Sequence, residues 1–108
     1  MPSRLKIRPR AIWDIDDHAE HLARFASDAV AERFHRAVEE AITHITAMPE
    51  AGSPWESENG SLLSLRFRPL HRFKNHVLFY RLADDTVEIV RLLHSSQNLE
   101  KYLEEPSN

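Results

Sequence analysis

The sequence predicts an α+β fold in which an antiparallel helical hairpin packs on one face of a mostly antiparallel sheet, in the order β-αα-βββ. Three observations lead there. Two stretches of helical period follow one another between Pro9 and Met48, with Ser27 as the break between them. A loop punctuated by Pro49, Gly52, Pro54 and Gly60 then ends the helical part. Beyond it lie three apolar stretches of strand character, and a shorter one precedes the helices.

The first strand is SRLKIRP, residues 3–9, with Leu5 and Ile7 on one face and Arg4, Lys6 and Arg8 on the other. Pro9 has no backbone donor to lose in a first helical turn. From Pro9 to about Ala26, Ile12, Ile15, Ala19, Leu22, Ala23 and Ala26 keep a helical period, and Asp14, Asp16 and Asp17 suit the positive end of its dipole. Ser27 is the N-cap of a second helix running to about Met48, with Asp28 in the first turn. Its apolar stripe is Val30, Phe34, Ala37, Val38, Ala41, Ile42 and Ile45. So short a link makes the two helices antiparallel neighbours.

After the loop, LLSLRFRP alternates Leu63, Leu65 and Phe67 against Ser64, Arg66 and Arg68. HVLFYRL, residues 76–82, is apolar on both faces and therefore central. TVEIVRLL, residues 86–93, is similar, with Asp84-Asp85 as the tight turn between the two. Strict alternation places Val87, Ile89, Arg91 and Leu93 on one face of this strand, and Glu88, Val90, Leu92 and His94 on the other. A short helix from Gln97 to Glu104 closes the chain, and Trp55 covers a core edge. One helical layer leaves apolar sheet surface for a partner or the C-terminal segment to cover.

The 108 residues suit one domain, 1–108, with enough surface to bury a core. Without cysteine there are no disulfides, thiolate metal sites or cysteine nucleophiles, which fits a reducing cytoplasm. The N-terminus shows no signal peptide, and no run is long enough to span a membrane. The net charge of −3 hides an asymmetry. Between Asp14 and Glu58 acids far outnumber Arg24, Arg33 and Arg36; from Leu62 to Leu82 there are Arg66, Arg68, Arg72, Lys74 and Arg81 and no acid. A local cationic surface on an acidic chain points to an anionic partner rather than to general nucleic-acid affinity; a merely solvated strand face is the plainer alternative.

Seven histidines raise the question of a metal. Asp14, His18 and His21 share a helix face, but no second cluster has ligand spacing, so the expectation is a polar helix face with no metal and no cofactor. Phosphate-binding loops and nucleophile elbows are absent as motifs, and the chain has two glycines. A ribonuclease needs an acid, a base and cations. His71, His76, His94, Arg66, Arg68, Arg81, Arg91 and Tyr102 are the candidates, yet strand parity puts His76 and His94 among apolar neighbours. His94 is therefore expected to order the C-terminal segment or touch a partner rather than to move a proton.

Several short motifs, taken in order, carry a resemblance over nearly the whole chain. They are Ala11, Asp14 and Ile15 in the first helix, Phe34 in the second, and Pro49 with Gly52 in the loop. In the sheet they are Leu65-Arg66, VLFYR from Val77 to Arg81, and VEIVRLLH from Val87 to His94. With these the chain resembles the RelE/ParE superfamily of toxins of bacterial toxin–antitoxin systems, and most closely its ParE branch. RelE-like members cut messenger RNA on the ribosome; ParE-like members inhibit DNA gyrase by binding. Ribonuclease members commonly carry arginine three residues before the tyrosine of the third strand, where this chain has Val77. They also place basic residues or a His-Tyr pair after the fourth, where it has Ser95, Ser96, Gln97 and Asn98. The acidic sequence pI of about 6.1 also departs from a nuclease that binds ribosomes.

The resemblance implies a cytoplasmic, non-enzymatic toxin with two partners, a ParD-like antitoxin and DNA gyrase. The expected antitoxin contacts are Trp13, Leu22 and Phe25 on the helical hairpin, with Arg66, Arg68 and Arg81 pairing antitoxin carboxylates. Core packing is the competing role for Trp13 and Phe25. Arg91, His94 and Tyr102 are the expected target contacts. The alternative is a RelE-like endoribonuclease with His94 or His76 as base and Arg66 or Arg81 as phosphate stabiliser; a third reading is an inactive relative that keeps only antitoxin binding. HSSQN lacks the Arg-Asp that often follows the histidine in the ParE branch.

Overall fold

The structure, a computed structural model, describes residues 4–62 and 64–105. Ser3 and Leu63, which the sequence reading puts in strands, lie outside them. Strand β1 (Arg4–Ile7) leads into helix α1 (Pro9–Phe25), and α2 (Asp28–Ala47) returns beside it. Ser27 caps α2 as expected, its Oγ accepting the Val30 N–H at 3.1 Å. A 3-10 turn at Pro49–Ala51, strand β2 (Ser53–Pro54) and a second 3-10 turn at Gly60–Leu62 follow. The chain then forms β3 (Arg66–Leu70), β4 (Phe73–Ala83), β5 (Thr86–His94) and helix α3 (Leu99–Glu104).

The sheet order is β1-β5-β4-β3-β2. Strands β2 to β5 pair antiparallel, whereas β1 pairs β5 in parallel; the helical hairpin carries the chain from β1 to β2 at the opposite edge of the sheet. The turn at Asp84-Asp85 forms, with Asp84 at φ 57°, a left-handed conformation that aspartate tolerates. Strand β3 differs from the expected LLSLRFRP: it begins only at Arg66, Leu62 belongs to the 3-10 turn, and Leu62 and Leu65 are buried outside any ladder.

A second difference lies in β5. The register shifts between Phe79 and Tyr80: Phe79 faces Arg91 and Tyr80 faces Ile89, so Val90 is the extra residue of a bulge. Strict alternation therefore fails. Val87, Ile89 and Leu92 join the core under the helices, while Val90 and Leu93 join the core on the other face.

The core under the helices is built on Ala11, Ile15, Phe34, Ile45, Leu78, Tyr80, Ile89 and Leu92. The opposite face buries Leu62, Leu65, Val77, Phe79, Val90, Leu93 and Leu103. Its cover comes from the same chain. Trp55 meets Phe79 edge-on at 5.3 Å and Phe67 at 5.7 Å, and its Nε1 donates to Glu100 Oε2 at 2.9 Å, locking the loop to α3. The C-terminal segment and the Trp55 loop thus close over apolar area that one helical layer leaves open. Among the described residues no helix is long and apolar enough to cross a membrane.

Candidate functional site

Strand β1 accompanies β5 only as far as Ile89, whose carbonyl accepts the Arg8 N–H at 3.1 Å. Beyond that point a side chain takes over from the strand. Asp14 of α1 accepts the Leu92 N–H at 3.1 Å through Oδ2, which also accepts from Arg91 Nε at 2.7 Å. Its Oδ1 accepts from Arg91 Nη2 at 3.1 Å, and Arg91 Nη1 donates to the Tyr102 carbonyl at 3.0 Å. One guanidinium therefore ties α1, β5 and α3 together. Asp14 and Arg91 are 4% and 2% exposed. This corrects two expectations: Asp14 is no part of an exposed polar helix face, and Arg91 is held inside rather than presented to a target.

The end of β5 borders a cleft of about 480 Å3 lined by Asp17, His18, His21, His76 and His94 among others. His76 meets His18 at 5.1 Å and His94 at 5.0 Å, both edge-on, and lies 5.0 Å from Phe34. Burial, reinforced by the neighbouring histidines, pushes His76 down to about 4. Burial lowers His18 as well, against the opposing pull of Asp14 and Asp17. Among the described residues no group of three or more His, Asp or Glu side chains is arranged to hold a metal. His94 anchors the turn that follows it: its Nδ1 accepts the Ser96 N–H at 3.0 Å, and its own N–H donates to Gln97 Oε1 at 2.7 Å. Tyr102 is half-buried against the second core.

The sheet arginines divide between faces. Arg66 and Arg68 stand opposite Tyr80 and Leu78, on the helix side. Arg66 Nη1 donates to Gly52 O at 2.7 Å, and Arg68 contacts His44 of α2. Arg81 lies on the other face, 2.8 Å from Glu88, which also binds Arg8 at 3.0 Å. Burial pushes the Glu88 carboxyl up, but the hydrogen bonds from Arg8 and Arg81 outweigh it and hold the group below its usual range. The three arginines expected to act together are thus separated, and each is already engaged.

Beside Arg66, the Tyr80 hydroxyl donates to Pro49 O at 2.6 Å and accepts the Gly52 N–H at 2.9 Å. These are the two ends of the Pro-x-x-Gly motif. A Cβ at Gly52 would lie 2.2 Å from that hydroxyl, so only glycine allows so close an approach. Burial raises the Tyr80 pKa, partly offset by the Gly52 hydrogen bond and by Arg66 and Arg68.

On α1, Trp13 is 57% and Phe25 71% exposed, so core packing is not their role. Arg10 lies over the Trp13 ring, 4.9 Å from its centroid. Leu22 instead packs against the core under the helices. The three do not form one patch. Trp13 and Leu22 are separated by about two and a half turns and project from opposite sides, and Trp13 and Phe25 are about 18 Å apart along the axis.

Sequence reasoning missed the structural parts of Asp14 and Glu88, since nothing local distinguishes a buried carboxylate from a surface one. It counted Arg72 and Lys74 in the basic stretch without setting them apart, and among the described residues these two make no ion pair.

The family model described as the ParE toxin of the type II toxin-antitoxin system parDE matches residues 5–99, which span β1 to the start of α3. No curated protein matches the sequence. Among solved structures, a chain of the chromosomal ParDE TA system from P. aeruginosa is similar in fold, with a TM-score of 0.71 at 18% identity, over 86% of this chain and 96% of that one. With a match over most of its length, the chain belongs to the ParE toxin family of type II toxin–antitoxin systems.

Proposed function

We propose that this ParE-type toxin acts in the cytoplasm as a binding protein, inhibiting DNA gyrase by protein contact, and that a ParD-like antitoxin neutralises it. The observation that carries the reading is the pair of large aromatic side chains, Trp13 and Phe25, held out in solvent along α1. Tryptophan is enriched among the residues that dominate protein interfaces, and exposed aromatics bury well against a partner. Their separation suits a long antitoxin segment laid along the helix, to which Leu22, packed against the core, would contribute only at its edge. Pairing of Arg66, Arg68 and Arg81 with antitoxin carboxylates would add to the internal bonds these residues already make.

Membership of the ParE branch supports the gyrase target. So does the state of the residues a nuclease would use. His94 is tied into its own turn, Arg66 and Arg81 are engaged, and His76 is too weak a base for efficient proton transfer near pH 7. His94 and Tyr102 are the proposed target contacts, displayed on a strand end and a helix that Arg91 holds together. The test is expression of the toxin alone. Growth arrest with an SOS response and trapped gyrase–DNA cleavage complexes is expected. Rapid loss of translated messenger RNA with gyrase unaffected would overturn the reading, and so would normal growth.

A further inference from the structure

Of the five cations between Leu62 and Leu82, Arg66, Arg68 and Arg81 are engaged within the protein, which leaves Arg72 and Lys74, and Arg72 lies beside helix α2. It sits in the turn between β3 and β4 in a left-handed conformation, φ 68°. There it lines a cleft of about 640 Å3 with Arg33 and Arg36, which lie three residues apart on one face of α2. Among the described residues no carboxylate lies within ion-pair distance of any of these three arginines. Glu40 is the one acid in the lining. The floor is apolar, made by Val30, Ala37 and Phe73, and Phe73 is braced edge-on by Phe34 at 5.5 Å.

We infer that this cleft binds an acidic segment of a protein partner, one that carries carboxylates interleaved with apolar side chains. Three planar guanidinium groups can grip carboxylates in pairs of hydrogen bonds, and the aromatic and aliphatic floor takes the side chains between them. A phosphate backbone fits less well. It would meet apolar surface where it needs cation, and the chain as a whole carries −3. The cleft is lined by α2, the β3–β4 turn and Phe73 of β4, and neither Trp13 nor Phe25 is part of its lining. It is a second binding surface, and the inference does not depend on gyrase being the target.

The experiment uses the full chain and a fluorescein-labelled synthetic peptide with glutamates alternating with leucine and phenylalanine, read by fluorescence polarisation. The peptide should bind, less tightly as salt is raised, and the glutamine version of the same peptide should not. The Arg33→Gln/Arg72→Gln variant should lose at least about tenfold in affinity. Arg72→Lys, which keeps the charge without the fork, should lose part of it. Thermal melting should be unchanged in these variants, because the arginines make no internal ion pairs. The inference is overturned if the wild-type chain does not bind the peptide or if the double variant binds it equally well. It is also overturned if the glutamine peptide binds as tightly, or if a single-stranded oligonucleotide of equal charge displaces the peptide more effectively.

Discussion

Asp14 and Arg91, 77 residues apart, meet in a two-bond pair of 2.7 and 3.1 Å. The aspartate also completes the open edge of β5 at Leu92. A buried pair of this kind is costly to break on one side only, because the survivor keeps its charge without its partner. Asp14→Ala should therefore destabilise the fold by about 3–5 kcal/mol in urea denaturation. Adding Arg91→Met should cost less than the sum of the two single changes. Additive losses would show that the two residues act separately.

Gly52→Ala should destabilise by about 1–3 kcal/mol, since the new methyl meets the Tyr80 ring and hydroxyl. Tyr80→Phe should cost a similar amount, because it leaves the buried Gly52 N–H and the Pro49 carbonyl without their partner. Denaturation of the double variant should show partial relief, as the hydroxyl is the nearest clash.

The histidine cleft makes stability depend on pH in a definite window. His76 has a folded pKa of about 4, below its ordinary 6.5. Between those values the unfolded chain binds a proton that the folded chain refuses, so stability falls as pH drops through the window. His18 acts with the same sign. Glu88, whose folded pKa is lowered, stabilises above the ordinary carboxylate range and loses that contribution as pH falls through its folded value. Urea midpoints should therefore fall in two stages on acidification, the histidine stage first. His76→Gln should reduce the first stage to the part His18 contributes and leave the second.

Trp13→Ala and Phe25→Ala should weaken binding to the antitoxin, with a loss of about 2 kcal/mol or more for at least Trp13, roughly thirtyfold in Kd by calorimetry. Both residues are more than half exposed, so melting temperature should hardly move. A large fall in stability with unchanged affinity would assign them a folding role instead.

The parts of this fold that depend on local period are legible in the sequence. The stripe of α2, the Ser27 cap and the Asp84-Asp85 turn follow from neighbouring residues, whereas the α1 stripe holds only in part: Ile15 and Ala19 are buried, but Ile12 and Ala26 are exposed and Ala11 and Asp14 take their place inside. The bulge at Val90 does not, because it belongs to the pairing of two strands rather than to either one. For the same reason Arg91 reads as a surface cation until α1 brings it Asp14. Trp13 errs the other way, since size and hydrophobicity suggest a core and only the packed helix shows it outside. The motifs of the resemblance gain a physical meaning once paired in space: the glycine of the loop serves the tyrosine of β4, and the aspartate of α1 serves the arginine of β5.

The parallel pairing of β1 with β5 has a consequence for how the toxin comes into being. Strand β1 finds its neighbour only after residues 86–94 have been synthesised, and α1 gains its arginine at the same moment. Contacts of such long range close slowly and late. The growing polypeptide therefore cannot display a finished sheet before residues 86–94 have emerged, and the folded toxin can meet a partner only after that point.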